Sequence, residues 1–219
     1  MIQVFNIDCM IAMKDMPDKA YELAIVDPPY GINADLEQNK NAVSGRISNG
    51  GTWKKYKNTN WDNEIPTIEY FKQLFRVSKT HIIWGGNYFY LPPCCKWIVW
   101  NKIQRGYMTD GEMAWTNMRG QVAIFDMSRT DAYINKCDEK IHPTQKPVAL
   151  YKWLLKNYAK PGDKILDTHL GSGSSAIAAY EMGFDFTGYE IDADYFQAAK
   201  ERLERHMKQG KLFQEAAES

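Results

Sequence analysis

From Lys164 to Ile191 the chain reads as strand, glycine loop, helix and strand, an order that few folds accommodate. Lys164 to Leu170 is strand-like, Ser174 to Met182 carries a helical pattern that stops at Gly183, and Phe186 to Ile191 is strand-like again. Between the first two lies Gly171-Ser172-Gly173-Ser174-Ser175-Ala176, a G-x-G-x-x-A run. Its glycines let the backbone approach a ligand, and the helix N-terminus behind it favours negative charge. Glu190 closes the second strand, near the spacing of roughly 20 residues at which an acid accepts hydrogen bonds from ribose hydroxyls. The pattern predicts a ligand that carries adenosine.

The rest of the chain extends this alternation. Gln3 to Ile7 is a short candidate element, Leu23 to Val26 a strand, Thr67 to Val77 an amphipathic helix, and Thr80 to Trp84 a strand ending at Gly85-Gly86. Trp97 to Trp100, Glu112 to Thr116 and Gln121 to Phe125 are short β-rich runs spaced like an antiparallel edge. Pro147 opens a helix through Tyr158, in the first helical position where proline is tolerated. Ala193 to Lys208 is a last helix with Phe196, Ala199 and Leu203 on one side. Alternating strands and helices predict one α/β domain over residues 1–219, with a mostly parallel twisted sheet covered on both faces. Residues 209–219 are expected to fray. Gly31 to Asn60 has no sustained period and is expected to be a long mobile loop.

A second feature restricts the chemistry. Leu23-Ala24-Ile25-Val26 runs straight into Asp27-Pro28-Pro29-Tyr30. Two prolines stiffen the backbone and remove two amide donors, leaving a carboxylate, a carbonyl and an aromatic ring at the end of a strand. In open α/β sheets ligands bind at that end. An acceptor pair beside a stacking surface suits a flat heterocycle bearing an exocyclic amino group. The glycine loop alone leaves nicotinamide dinucleotides and S-adenosylmethionine both open. The Asp-Pro-Pro-Tyr run separates them, because hydride transfer has no use for it.

Lys and Arg balance Asp and Glu at 27 each, so a polyanionic partner must be argued from local patches. One such patch lies in the loop, where Lys40, Arg46, Lys54, Lys55 and Lys57 outnumber Asp35 and Glu37 and interleave with Trp53 and Tyr56. A single-stranded or extruded nucleic acid would meet such residues, and an ordinary solvated loop is the equal alternative. Lys102 and Arg105 flank a glycine turn and are read either as phosphate contacts or as surface charge. The start of the chain lacks the basic flank of a secretory signal, and its longest apolar stretch, 81–100, is broken by Gly85-Gly86, Pro92-Pro93 and Lys96. Four cysteines without zinc-ligand spacing point to a reduced, cytoplasmic, metal-free protein.

Taken together, the motifs resemble those of amino-methyltransferases that use S-adenosylmethionine. Asp27-Pro28-Pro29-Tyr30 resembles their catalytic motif, and Asp167-Thr168-His169-Leu170-Gly171-Ser172-Gly173-Ser174 their cofactor loop. Gly188-Tyr189-Glu190 and the helix carrying Tyr195, Ala199 and Arg202-Leu203 resemble the ribose-binding segment. His142-Pro143-Thr144-Gln145-Lys146-Pro147 resembles the segment at the methionine moiety. Here the catalytic motif precedes the cofactor motifs and is itself preceded by Asn6-Ile7-Asp8-Cys9, the permuted order of β-class DNA adenine-N6 methyltransferases. Trp97-Ile98-Val99-Trp100-Asn101-Lys102 and Glu112-Met113-Ala114-Trp115-Thr116 look closest to phage and prophage members. Thr168-His169 and Ser174-Ser175 depart from the pattern common in the class while keeping its small hydroxyls and glycines.

The resemblance implies a Rossmann-like fold, double-stranded DNA as substrate with a flipped adenine, and suggests a homodimer. It implies catalytic roles for Asp27, Pro28, Pro29 and Tyr30. It implies cofactor contacts at Asp8, Cys9, Asp27, His142, Thr144, Lys146, Asp167, His169, Leu170, Gly171, Ser172, Gly173, Ser174, Glu190 and Ile191, and DNA contacts at Lys54, Lys55, Lys57, Lys102 and Arg105. N4-cytosine methylation is the nearest alternative, and a non-catalytic DNA-binding relic the more distant one. Two residue readings stay open. Lys146 pairs with the methionine carboxylate or is a solvated charge, and Asp8 binds the adenine amino group or caps the following helix. His142 and His169 read as structural hydrogen-bonding residues rather than proton-transfer catalysts. Trp84, Trp97, Trp100 and Trp115 read as core.

Overall fold

The computed structural model describes residues 1–33, 62–103, 109–133 and 140–218. In chain order the elements are β1 (Ile2–Asn6), α1 (Cys9–Lys14), β2 (Tyr21–Val26), α2 (Ile68–Val77), β3 (Ser78–Trp84), β4 (Lys96–Asn101), β5 (Gly111–Thr116), β6 (Ala123–Asp126), α3 (Arg129–Tyr133), α4 (Val148–Tyr158), β7 (Lys164–Asp167), α5 (Ser174–Glu181), β8 (Asp185–Glu190) and α6 (Ala193–Glu218). The strands form one sheet in the order β1-β8-β7-β2-β3-β5-β4-β6. From β1 to β3 all neighbours are parallel, and β5 then runs antiparallel to both β3 and β4.

Period-two alternation divides the sheet between two cores. On one face Leu23 and Ile25 of β2 and Ile82 and Trp84 of β3 pack with Leu150 and Leu154 of α4 and Ile177 of α5. On the other, Ala24, Val26 and Ile83 pack with Met13 of α1 and with Phe71, Leu74 and Val77 of α2. Both faces are therefore covered, and the central strands read as continuous apolar runs for that reason. Trp84, Trp100 and Trp115 are buried as expected, while Trp97 is half-buried.

Several features differ from the sequence reading, among them Pro147, which is the N-cap of α4 and not its first helical residue. The edge is only partly antiparallel, because β6 pairs with β4 in parallel, Ile98 opposite Ala123. The β7 strand stops at Asp167 rather than Leu170, since the Asp167 side chain accepts the His169 amide and turns the chain (3.0 Å). The last helix continues to Glu218 instead of ending near Lys208. Most of the expected loop 31–60, with Lys54, Lys55 and Lys57, lies outside the described residues, as does Arg105.

Candidate active site

The parallel register brings the sequence motifs to one edge of the sheet. β7 lies between β2 and β8, with Ala24 opposite Leu166 and Asp167 opposite Gly188. The strand ends carrying Asp27, the glycine loop and Glu190 therefore stand side by side.

The glycine loop is held from several directions. Gly171 N–H donates to Glu190 (2.8 Å), and the other Glu190 oxygen accepts the Asp192 amide (3.0 Å). The Asn6 amide donates to the carbonyls of Glu190 and Ile191, joining the end of β1 to the same rim. The buried Arg202 guanidinium reaches from α6 to the Ser172 carbonyl (2.7 Å) and the Ser174 hydroxyl (3.0 Å). Gly173 begins α5 at φ +74, and a Cβ there would meet Ala199 at 3.3 Å, so the loop lies close on α6. Asp167 accepts from Ser175 Oγ (2.6 Å), and burial pushes its carboxyl up to about 7. Asp8 caps α1 through the Met10 amide (2.8 Å), and burial beside Asp8 pushes the Cys9 thiol up to about 12.

The segment 141–147 meets this loop. A Cβ on Gly171 would lie 3.9 Å from the His142 ring, which packs edge-on against Tyr195 and contacts Thr144 Oγ1 through Nδ1 (3.2 Å). Burial lowers His142 to about 3 and His169 to about 4, so both rings are neutral at pH 7. His169 Nδ1 meets the Thr168 hydroxyl (2.9 Å), which in turn contacts the Tyr70 hydroxyl of α2 (2.7 Å).

Asp27 lies at the centre of a charge cluster. Its Oδ1 accepts from the Tyr30 hydroxyl (2.6 Å), and its Oδ2 forms an ion pair with Lys146. Lys146 is buried and also contacts Glu112 Oε2 (3.1 Å) and the Tyr30 hydroxyl (3.1 Å), with its Nζ 5.3 Å from the centre of the Trp84 ring. Neither earlier reading of Lys146 included these partners: the ammonium is not solvated, and two carboxylates of the protein hold it. Burial and the nearby Glu112 push the Asp27 carboxyl up, with Lys146 opposing them. Burial alone would raise Glu112 as well, but the Lys146 and Lys102 charges outweigh it and hold that carboxyl at about 2. Burial would lower Lys146, and the two carboxylates outweigh it and raise the ammonium.

Two further placements revise the sequence reading. Lys102, expected at a phosphate or on the surface, is buried and turned inward onto Glu112, because the end of β4 lies beside the start of β5. Tyr30, expected as a stacking surface, already stacks on Tyr88 with ring centres 5.1 Å apart. Tyr88 is itself 40% exposed.

Sequence reasoning missed Glu112 and Asp62. The buried Asp62 accepts the amides of Tyr30 (2.6 Å) and Gly31 (2.9 Å) and fixes the turn that follows the two prolines. A lone acid opening an otherwise apolar strand was the available signal for Glu112. Asp62 follows a long aperiodic stretch and gave none. Gly85 sets the other limit on the Tyr30 ring: at φ +69, a Cβ there would lie 2.2 Å from Tyr30 Cε1. Gly85→Ala is expected to cost about 1–3 kcal/mol by urea unfolding, from left-handed strain and displacement of that ring.

The arrangement provides acceptors and a charge-balanced cluster at one strand end, beside the glycine loop. Among the described residues no group of His, Cys, Asp or Glu is placed to hold a metal, and no helix is long and apolar enough to cross a membrane. Residues 99–201 match the sequence model of the DNA methylase family named for N6 and N4 methyltransferases. Type II methyltransferase M.HpaI of Haemophilus parainfluenzae is 26% identical over 88% of the chain and 71% of its own length. The putative methylase YubD of Escherichia coli K12 is 24% identical over 93% and 92%. Among solved structures, the M1.HpyAVI-SAM complex superposes with a TM-score of 0.59 at 20% identity, covering 93% of this chain and 99% of that one. PvuII DNA methyltransferase (cytosine-N4-specific) does so with 0.59 at 12% identity, covering 94% and 89%. Residues 99–201 therefore resemble that family in sequence, and over nearly its whole length the chain shares the Rossmann-like fold of these solved structures.

Proposed function

We propose that this protein transfers the methyl group of S-adenosylmethionine to the N6 amino group of an adenine flipped out of DNA. The observation that carries the proposal is the adjacency of Asp27-Pro28-Pro29-Tyr30, ending β2, to the glycine loop after β7 and the acid ending β8. The residues present fit the cofactor. Glu190, fixed by two amides, offers acceptors at the loop rim, Asp8 supplies a second carboxylate, and Gly173 keeps the loop closed onto α6. When bound, S-adenosylmethionine supplies an electrophilic methyl carbon.

The residues of this chain handle the amino group. Its lone pair is delocalised into the base, so it attacks well only when its N–H bonds point at acceptors. The Asp27 carboxylate and the Pro28 carbonyl accept those two bonds and favour the positive charge that develops on nitrogen. As the amino nitrogen took up the methyl group, one of its protons would pass toward Asp27, whose raised proton affinity suits that task. Lys146 cannot take the proton, because it is already a raised, hydrogen-bonded ammonium. Tyr30 stacks on the base, and Lys54, Lys55, Lys57 and Arg105 contact phosphate. The base reaches the site only by leaving the duplex.

Incubating plasmid DNA with labelled cofactor, followed by nucleoside analysis, tests the reading. N6-methyladenine is the expected product. N4-methylcytosine in its place would move the assignment to the other amino group, and unlabelled DNA would remove it.

A further inference from the structure

We propose that Glu112 is a positioning residue of the transfer site, holding Lys146 and through it fixing where the Asp27 carboxylate points. The inference rests on the methyl-transfer reading above. Glu112 is a partly buried carboxylate to which the mechanism assigns no contact with substrate. It is the second residue of β5, two before Ala114, which packs in the same core as Trp84. Because β5 is antiparallel to β3, its first residues lie at the strand end where Asp27 stands.

Donor counting gives the reason for its place. An ammonium has three N–H bonds. Those of Lys146 meet three acceptors: Asp27 Oδ2, the Tyr30 hydroxyl and Glu112 Oε2. With every donor engaged, the ammonium has one position, and Asp27 is aligned against it. The second Glu112 oxygen is taken by Lys102. Lys102 in turn lies 4.9 Å from the centre of the Trp100 ring. Two carboxylates and two ammoniums cancel, the condition under which charges are tolerated away from water. Without the Glu112 charge the cluster carries an excess cation, and Lys146 loses the charged acceptor opposite Asp27. The groups bearing directly on Asp27 are Lys146 from segment 141–147, Glu112 on β5, Tyr30, Asp167 at the end of β7 and Tyr70 on α2, and Lys102 acts on it from behind Glu112.

Glu112→Gln keeps shape and one acceptor while removing the charge. Its unfolding by urea, its calorimetric affinity for S-adenosylmethionine, its kcat against pH and the carbon-13 titration of the Asp27 carboxyl are to be compared with wild type. Cofactor affinity is expected to hold within about twofold, while kcat falls about a hundredfold from misplacement of the acceptor. The Asp27 titration and the acid limb of kcat are expected to move to lower pH, because a neighbouring negative charge has gone. Glu112→Asp is expected to bring both back toward wild type. An unmoved Asp27 titration, an unchanged kcat, or a loss confined to cofactor affinity overturns the proposal. Should Glu112→Gln not fold, Lys102→Gln decides through the opposite sign: removing that positive charge raises the Asp27 titration, and no movement overturns the proposal. A wild-type protein that methylates no DNA rejects the proposed function, while the Asp27 titration still reports on Glu112.

Discussion

Asp27→Ala is expected to lower methyl transfer by about a thousandfold or more, while S-adenosylmethionine still binds with nearly its wild-type affinity. The two effects separate because the groups are anchored separately. The glycine loop is held by Glu190, Arg202 and the Asp167–Ser175 contact, none of which uses the Asp27 side chain. The fold is expected to survive, since Lys146 keeps Glu112 as a charged partner. Asp27→Asn is the sharper variant, because the amide keeps the shape but offers a donor where the amino group needs an acceptor. Single-turnover transfer to DNA, set beside calorimetric cofactor binding, measures both. Transfer near the wild-type rate in either variant would refute the role given to this carboxylate.

Much of the fold was legible because two periodicities alternate so plainly. Leu23 to Val26 and Lys164 to Asp167 are short apolar runs closed by turn residues, and buried parallel strands read that way. The glycine loop was legible for a different reason, since backbone turns of that geometry admit few residues. What escaped the sequence was lateral. Nothing local says that β6 pairs in parallel with β4, because pairing partners are chosen by the crossover connections and not by strand composition. The same limit hid the charge cluster. Asp27, Glu112 and Lys146 are separated by 85 and 34 positions, and only the sheet order brings them together. Lys102 was misread for the same reason: a lysine beside a glycine turn looks exposed until the start of β5 is laid against it.

Under the proposed function, electrostatics in this cluster also decide which carboxylate would do the chemistry. Both acids are withdrawn from water, yet Glu112 faces two ammoniums and Asp27 faces one. Glu112 is therefore held ionised far below the pH of the cell, and Asp27 is the acid whose proton affinity is raised. Environments that push two titratable groups apart are how a site divides its roles. The division leaves Asp27 basic enough to receive a proton and Glu112 fixed as a counter-charge.

Lys146→Met is expected to be the most damaging change to stability, at about 3–5 kcal/mol, because it leaves two withdrawn carboxylates with Lys102 as the one cation of the cluster. The loss should depend on pH with a definite sign. In the wild type Glu112 titrates at about 2, below its ordinary value of 4.5, so its contribution is present above pH 4.5 and is lost as pH falls toward 2. Lys146, with its affinity for a proton raised, contributes at all pH values below its ordinary 10.5 and loses that contribution only in strong base. Without the ammonium, Asp27 and Glu112 repel each other, and a proton on either relieves the repulsion. The variant should therefore fall furthest behind the wild type near pH 8 and recover part of the gap near pH 5. Urea unfolding of both proteins at the two pH values measures this. A gap that is equal at both, or wider in acid, would mean that Lys146 stabilises the fold by packing alone and that the carboxylates do not depend on its charge.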